Sequence, residues 1–421
     1  MKEIKLKGLD QSVFYEELSN GLKVILLPFK NKTNYYINYT TKYGSINLDF
    51  IPNGSKKMYS SPKGIAHFLE HKLFEQEDGE SPFEFYSKSG TASNAGTSYK
   101  RTSYYLWGVN KLEENLDYLI SCVNKPYFTD SNVEKEKGII IQELNMYMDN
   151  PDSVLTNEVS KATYKNHPIR YDIGGYPDTV SKITKEDLYT CYDTFYSPSN
   201  MILAVSGNFD VNKILDLIKS NEDLMSRKST GEIIMKDYKE PLKVLDIYKE
   251  ITVPNLAIPK VAMNVKISLK GVKDLREFIA YVMAYVGLKF ASASDFKEEI
   301  LTNNYATSFT YGAMLLDGFY TIELYAETNK PNIVIDKILK ELKSKSISSE
   351  DLERYKKVKI SYLVMESDNI EASVENAMDD LIVFGKVFDD EVDFIRGMNI
   401  DKFNEVMSKV DFSNHATVVL K

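Results

Sequence analysis

Apolar positions along the chain follow two different spacings, and each spacing predicts one kind of element. Residues 22–27 and 35–39 are short runs rich in branched and aromatic side chains, which is typical of buried strands. Residues 111–123, 131–148 and 184–196 have the longer spacing expected of helices. The mixture favours an α+β class, in which helices pack on one face of a mostly antiparallel sheet.

One part of this pattern, a helical segment followed by an apolar strand, occurs twice at an offset of 214 residues. Asp187 stands thirteen residues before Asn200, and Asp401 stands thirteen residues before Asn414. An apolar strand follows directly in both places. A repeat this long indicates a duplicated domain, whereas solenoids have much shorter periods.

We therefore predict two homologous domains. The first covers 1–220 and the second covers 241–421, with the polar and weakly periodic stretch 221–240 as a linker. The length of 421 residues fits this division, because single domains commonly contain roughly 100–200 residues.

Two of the four histidines fall within five residues, as His67 and His71 with Glu70 between them. Helical spacing of about 100° per residue puts these three side chains on one face and apolar side chains on the other. Ser61 and Pro62 are suitable as the cap and first position of this helix. Two imidazoles and a carboxylate in this spacing indicate a zinc-dependent hydrolase. The alternative is a pair of ordinary core or surface histidines.

A zinc site needs a third protein ligand, and Glu143 is the best candidate. Glu136 precedes it by two helical turns, so both carboxylates face the same way. The two could be solvated surface acids. The run 139–141, three isoleucines, instead predicts a largely buried helix, and a buried carboxylate needs a metal or a partner.

These residues resemble the pitrilysin/insulinase metallopeptidases. The shared features are the inverted zincin signature H-x-x-E-H and a glutamate 76 residues after its first histidine. Residues 64–66, 93–97 and 196–201 extend the resemblance through the first half, and the second half matches weakly.

Within that family, 67–79 and 134–148 most resemble a bacterial subfamily of short, two-domain members. Members of this subfamily are associated with 5-aminopentanol modification of elongation factor P, and they occur beside a second, similar gene. The resemblance therefore implies a paralogous partner.

The resemblance implies roles for single residues. His67, His71 and Glu143 would bind one Zn²⁺ per chain, although manganese or cobalt could replace it in vitro. Glu70 would be the general base, and Glu136 would orient a ligand.

The repeat predicts a metal-free second domain. The residues equivalent to His67 and His71 are Tyr281 and Tyr285, and those equivalent to the two glutamates are Tyr355 and Tyr362. Tyrosines in this arrangement cannot form the same zinc site, so we expect one zinc per chain.

Substrate binding is also implied by the resemblance. Asn94 and Ala95 would lie on an edge strand that binds the substrate backbone by strand addition. The family usually has an arginine and a tyrosine in a second-half domain that grip the substrate. Leu301 occupies the arginine position here, and Thr307 or Ser308 occupies the tyrosine position.

A partner chain should supply the missing grip. We expect a heterodimer with a metal-free paralogue as the first choice and a homodimer as the second. In either case two chains would form a closed chamber around the substrate, as the resemblance implies.

Composition limits the other classes. The net charge of −9 argues against a nucleic-acid surface, and no apolar run is long enough to span a membrane. The first residues lack a signal-peptide pattern, and Cys122 and Cys191 are best explained as reduced thiols. We therefore expect a cytoplasmic protein.

The sequence thus predicts a zinc-dependent endopeptidase that hydrolyses short or unfolded peptides. Two alternatives stay open. One is a non-catalytic scaffold or assembly subunit, which would be expected to lack the metal motif. The other is a dedicated maturation factor for one peptide or translation factor, which would share the chemistry and differ in substrate.

Overall fold

The computed structural model describes all 421 residues, Met1–Lys421, and contains fourteen strands. They are β1 (Lys2–Lys5), β2 (Ser12–Glu17), β3 (Lys23–Pro28), β4 (Tyr35–Thr41), β5 (Asp49–Phe50), β6 (Tyr59–Ser60), β7 (Ala92–Thr97), β8 (Thr102–Gly108), β9 (Met201–Gly207), β10 (Tyr248–Ile251), β11 (Lys260–Ser268), β12 (Ser308–Leu316), β13 (Phe319–Glu327) and β14 (His415–Leu420).

Sixteen α-helices accompany the strands, and none of them has the length and apolar character needed to cross a bilayer. They are α1 (Ile65–Leu73), α2 (Pro82–Lys88), α3 (Leu112–Asn124), α4 (Asp130–Met148), α5 (Pro151–Thr163), α6 (Pro177–Val180), α7 (Lys185–Phe195), α8 (Val211–Ser220), α9 (Glu222–Met225), α10 (Leu275–Phe290), α11 (Asp295–Thr302), α12 (Pro331–Lys343), α13 (Ser349–Ser367), α14 (Ile370–Phe384), α15 (Glu391–Gly397) and α16 (Ile400–Lys409).

The chain forms two compact units, each built from separate segments. Unit 1 comprises Met1–Asn145, Asp172–Asp237 and Tyr362–Asp393, and unit 2 comprises Met146–Tyr171, Tyr238–Ser361 and Phe394–Lys421. One crossing between the units, at 237/238, lies inside the predicted linker. The other crossings show that neither unit is one continuous stretch of chain.

Each unit contains one large sheet with the same internal order. The sheet of unit 1 runs β1-β2-β3-β9-β4-β8-β7, and that of unit 2 runs β10-β14-β11-β13-β12. In each sheet one pair is parallel, β3 with β9 and β10 with β14, and the other pairs are antiparallel. The last five strands of unit 1 correspond one by one to the strands of unit 2. The predicted α+β class and duplicated fold are confirmed.

Helix α14 comes from the second half of the sequence but packs in unit 1. It buries Val374, Met378 and Leu381 against a sheet face that includes Ile25 and Ile202. The larger core of unit 1 lies on the opposite face of this sheet, under α1, α3 and α7. Both faces of this sheet are therefore covered, whereas the sequence predicted helices on one face.

Helix α5 is the corresponding element from the first half, and it packs in unit 2. Leu155 and Val159 lie against Ala262, Ala416 and Val418 of β11 and β14. The predicted continuous domains 1–220 and 241–421 did not include this reciprocal exchange. Hydrophobic spacing shows that a helix has an apolar face, but it does not show which sheet that face covers.

The helix with the two histidines begins later than predicted. Ser61 does not cap it, since its hydroxyl donates to the carbonyl of Leu48, and α1 starts at Ile65 after Gly64. Gly64 has φ of +89°, and a Cβ there would lie 2.2 Å from the carbonyl oxygen of Gly174. The close approach of a distant backbone segment therefore sets the first residue of α1.

Replacement of Gly64 by alanine should destabilise the protein strongly. The change adds the strain of a positive φ, about 1–2 kcal/mol, and a clash with the Gly174 backbone. Gly54→Ala is the matched control, because Gly54 has φ of +74° and nothing within 4 Å of its Cβ position. In urea denaturation, Gly64→Ala should lose clearly more free energy of unfolding than Gly54→Ala. Equal losses would show that the close approach does not constrain α1.

Candidate metal centre

Helices α1 and α4 bring together the three predicted ligands. Nε2 of His67 lies 3.8 Å from Oε2 of Glu143, and Nε2 of His71 lies 3.5 Å from the same oxygen. One ligand atom from each of the three residues lies within 4.8 Å of the other two. This is the only group of three or more histidine, cysteine, aspartate or glutamate side chains in the chain with such spacing.

The two faces of α1 differ in polarity, and this difference explains the orientation of the helix. Phe68, Leu69 and Leu73 are at most 1% exposed and belong to the core of unit 1. Burial of these side chains turns the other face, with His67 and His71, toward α4. The predicted division of the helix into an apolar face and an ionisable face is therefore observed.

Helix α4 is less buried than the three consecutive isoleucines predict. Ile140 is fully buried, with Val133 and Leu144 on the same side, but Ile139 is 47% exposed. The helix therefore has one buried face. Glu136 and Glu143 lie beside that face and are themselves only partly exposed.

Glu136 fixes the orientation of His71. Its Oε1 lies 3.0 Å from Nδ1 of His71, while Nε2 of the same ring points toward Glu143. A proton on Nδ1 is donated to the carboxylate, so Nε2 keeps the lone pair that a metal requires. The structure thus brings Glu136 to the position predicted for an orienting residue.

The two histidines have opposite pKa shifts. Burial, and then the nearby His71, lowers the pKa of His67 to about 4, so His67 is neutral at physiological pH. Burial also acts to lower the pKa of His71. The hydrogen bond with Glu136 and the surrounding carboxylates outweigh it, and the net shift of this pKa is upward. Burial acts to raise the pKa of Glu136, but the hydrogen bond with His71 and the charges of His71, Lys72 and Lys135 together outweigh it, so the net shift of this pKa is downward.

Glu70 lies on α1, and its carboxylate accepts a hydrogen bond from a residue of the sheet. The hydroxyl of Thr97, on β7, donates to Oε2 of Glu70 over 2.6 Å. Burial raises the pKa of Glu70 despite this hydrogen bond. The sequence interpretation did not identify Thr97, although strand alternation in 93–97 would have placed it on the same side of β7 as Ala95.

Asn94 and Ala95 lie on the predicted edge strand. β7 is the last strand of its sheet and pairs only with β8. The backbone N–H of Ala95 is not used in that pairing, since Oδ1 of Asn94 accepts it at 2.9 Å. Successive side chains of a strand alternate in direction, so Ala95 shares the α1 side with Thr97 and Asn94 points to the other.

Lys72 is a further residue that the sequence interpretation missed. Its side chain is fully buried, forms an ion pair with Glu75 and donates to the backbone carbonyl of Asn132 at 3.4 Å. Asn132 belongs to the first turn of α4, so Lys72 ties α1 to α4 next to the histidines. Its position directly after His71 gave no signal of this role.

The tyrosines of the second half lie on the helices that correspond to α1 and α4. Tyr281 and Tyr285 are on α10, and Tyr355 and Tyr362 are on α13. The hydroxyl of Tyr285 donates to the carbonyl of Glu341 at 2.7 Å. The hydroxyl of Tyr281 accepts the N–H of Asn399 at 3.1 Å. These contacts are structural.

The remaining predicted positions are those of the arginine and the tyrosine that would bind the substrate. Leu301 lies near the end of α11, and Thr307 precedes β12, where its hydroxyl donates to the carbonyl of Glu327. Neither residue carries a charge or an aromatic ring that could hold a substrate as arginine and tyrosine would.

Comparison with known proteins agrees with this geometry. Residues 36–175 match the family described as "Insulinase (Peptidase family M16)", and residues 182–359 match "Peptidase M16 inactive domain". The zinc protease YmfH of Bacillus subtilis is 38% identical over 365 residues, 86% of this chain and 85% of that protein. The chain belongs to the M16 peptidase family.

Other M16 proteins resemble it over nearly the whole length. An M16-like peptidase from Alicyclobacillus acidocaldarius is 28% identical, with a TM-score of 0.89 and 98% of both chains covered. The mitochondrial-processing peptidase subunit beta of Saccharomyces cerevisiae is 26% identical over 96% of this chain and 91% of that protein. The match to the family described as "Peptidase M16 inactive domain" includes Tyr281 and Tyr285, which stand at the positions of the two histidines.

The residues present fit a zinc ion. Two imidazole nitrogens and one carboxylate are a common ligand set of catalytic zinc, with a fourth position left for water or substrate. His67 is neutral, and hydrogen bonding to Glu136 frees Nε2 of His71, so both rings can donate a lone pair.

Glu136→Gln should weaken zinc binding while the fold is retained. The glutamine keeps an acceptor for His71 but removes the charge that makes the ring a stronger ligand, and about a 10- to 100-fold loss of affinity is expected. Competition with a chromogenic chelator would measure it. Glu134→Gln is the control, because Glu134 is 75% exposed on the same helix. Equal affinities of the two variants would contradict the orienting role.

Proposed function

We propose that this M16 protein is a zinc-dependent endopeptidase that hydrolyses short or unfolded peptides. The observation that carries the proposal is the convergence of His67, His71 and Glu143 on one point, with Glu70 beside them. Glu136 supports it, because a carboxylate behind a histidine is the usual way to prepare that ring as a metal ligand.

His67, His71 and Glu143 would hold the ion. When bound, zinc would polarise the scissile carbonyl and make a water molecule nucleophilic near neutral pH. Glu70 would accept the proton of that water on its carboxylate and return it to the leaving amine. Thr97 holds Oε2 of Glu70, so the carboxylate has one orientation before substrate arrives.

The free edge of β7 would bind the substrate backbone. Strand addition needs outward N–H and C=O groups, and Ala95 has its N–H outside the β7–β8 pairing. The side chain of Asn94 occupies that N–H in the absence of substrate and would have to release it. An extended peptide on this edge would run beside Thr97, which contacts Glu70.

We propose that the active form is a heterodimer with a metal-free paralogue, and a homodimer is the second choice. Unit 2 has tyrosines, Tyr281 and Tyr285, at the positions of the two histidines. Leu301 stands at the expected arginine position, and Thr307 or Ser308 stands at the expected tyrosine position. The name of the yeast relative, a subunit beta, describes a member of a multi-subunit peptidase. The closed chamber, the cytoplasmic location and the elongation factor P subfamily stay predictions.

The two alternatives differ from the proposal in separate ways. A scaffold subunit would not require the complete ligand set or the hydrogen bond between Glu136 and His71. A dedicated maturation factor would use the same chemistry on one peptide or translation factor, so only its substrate range would differ.

Glu70→Gln should bind zinc and lose cleavage of unstructured peptides by about a hundredfold or more, because the proton acceptor is gone. Glu143→Gln should lose zinc as well as activity. Metal analysis after dialysis and mass spectrometry of a peptide pool would measure both. Glu77→Gln, on the exposed loop after α1, is the control. Turnover by Glu70→Gln, or full zinc content in Glu143→Gln, would overturn the assigned roles.

Addition of a metal-free paralogue from the same genome should raise cleavage, because it would supply the substrate-binding arginine and tyrosine. In this chain Leu301 stands at the arginine position and Thr307 or Ser308 at the tyrosine position. Light scattering would give the mass of the complex, and the peptide pool would give its rate. The paralogue mixed with Glu70→Gln is the control for its own activity. Full activity of the chain alone, unchanged by the paralogue, would contradict a divided active site.

A further inference from the structure

The edge strand β7 carries Asn94 and Gly96 on the face that points away from α1. Asn94 is exposed and Gly96 is partly exposed, so this face is open along the free edge of the sheet. Tyr105, on the neighbouring strand β8, pairs with Asn94. Its hydroxyl nevertheless reaches the next row, because a Cβ at Gly96 would lie 2.8 Å from the oxygen of Tyr105. A phenol therefore lies where a side chain of residue 96 would begin.

The hydroxyl of Tyr105 has no hydrogen-bond partner within the chain, although its ring is held in place. The ring packs edge-on against Trp107, with 5.0 Å between the ring centroids. The indole N–H of Trp107 donates in turn to Glu371 on α14 at 2.9 Å. Burial, and then the charges of Glu70 and Glu375, raise the pKa of Tyr105, so the hydroxyl keeps its proton. A donor and acceptor without a partner is therefore present at the open edge.

Unit 2 has the same glycine and tyrosine, but the space beside the glycine is filled there. Gly312 and Tyr325 stand at the positions of Gly96 and Tyr105. A carboxylate oxygen of Glu323 lies 3.4 Å from the Cβ position of Gly312, and Tyr325 packs against the core under α5. The open place beside the glycine is therefore a feature of the unit that has the candidate zinc ligands.

An extended peptide paired antiparallel with β7 would place one residue directly opposite Gly96. The N–H of Ser98 donates to the carbonyl of Arg101 at 2.8 Å, so alternate residues of β7, Gly96 included, turn their N–H toward β8. The residues on either side of Gly96 turn theirs outward, and Gly96 would form the non-hydrogen-bonded pair between them. In such a pair the Cα atoms are about 4.5 Å apart and the side chains are closest. A polar γ-atom of the peptide would then be within reach of the Tyr105 hydroxyl.

We propose that the Tyr105 hydroxyl selects a short, uncharged polar side chain (serine, threonine or asparagine) at the peptide residue opposite Gly96. These side chains carry a hydroxyl or carboxamide next to Cβ, and the phenol can donate to it or accept from it. An aspartate would be disfavoured, because Glu371 and Glu375 make the surroundings of the phenol negative. An apolar side chain would remove water from the hydroxyl without replacing its hydrogen bond.

This inference rests on the proposed peptidase function, and it adds a preference at one substrate position, on the face of the sheet away from α1. The contact would form when the peptide binds, before the reaction. Its loss should therefore affect KM more than kcat.

The test is cleavage of unstructured peptides by the zinc-loaded full chain, alone and with the paralogue. The peptides lack serine, threonine and asparagine except at one position, where threonine and valine, side chains of the same shape, are exchanged. This exchange is moved residue by residue along the peptide. Competition within each pair, followed by mass spectrometry, gives the ratio of the two kcat/KM values. Initial rates at the responding position then separate KM from kcat.

Tyr105→Phe removes only the hydroxyl. Tyr15→Phe on β2 is the matched control, because Tyr15 packs against the same core cluster as Tyr105 but lies near the opposite edge of the sheet. Gly96→Ala is a second variant, since its Cβ would displace the Tyr105 hydroxyl.

At one position relative to the cleaved bond, threonine should be favoured over valine by roughly two- to tenfold. Tyr105→Phe and Gly96→Ala should remove that preference, and Tyr15→Phe should preserve it. The melting temperature of Tyr105→Phe should not fall, because the hydroxyl has no partner within the chain.

Cleavage without a preference at any position, or a preference that persists in Tyr105→Phe, would overturn this inference and leave the proposed function standing. A fall of several degrees in the melting temperature of Tyr105→Phe, absent in Tyr15→Phe, would also overturn it, by assigning a structural role to the hydroxyl. Absence of cleavage of every peptide, with and without the paralogue, would overturn the proposed function and this inference with it.

Discussion

The pairing of a short helix with a longer one, through the hydrogen bond between His71 and Glu136, is the interaction on which the candidate site depends. Helix α1 has nine residues, too few to be stable alone, and it is held by burial of Phe68 and Leu69 in the core. The remaining face presents His67 and His71 to α4. Together with the hydrogen bond from Lys72 to the first turn of α4, this contact brings the two histidines to Glu143.

The surroundings of α1 restrict its position from three sides. Gly64 allows the backbone of Gly174 to approach the first turn, Lys72 donates to the start of α4, and Thr97 holds Glu70 from the sheet. Each contact joins segments far apart in the sequence. A site placed by such contacts is preorganised, because its side chains do not have to be ordered when a metal or substrate arrives.

Sequence periodicity predicted much of this arrangement. The helical spacing of His67, Glu70 and His71, and the two turns between Glu136 and Glu143, are local properties, and the structure brings the five side chains together. The duplication was also visible, since the strand starting at Met201 recurs at His415. Local spacing is retained in the folded chain whenever the element forms, which is why these predictions could be made.

Other features depend on tertiary contacts and left no local pattern. The exchange of α5 and α14 between the units could not be predicted, because an apolar helix face fits either sheet. The start of α1 depends on Gly174, more than one hundred residues away.

We expect a single zinc site in unit 1, built by α1 and α4. Anomalous diffraction at the zinc edge, from crystals of the zinc-loaded chain, would locate the metal. One strong peak per chain is expected, within bonding distance of Nε2 of His67, Nε2 of His71 and a carboxylate oxygen of Glu143. A peak at other residues, a second peak of equal height in unit 2, or no peak in zinc-loaded crystals would contradict it.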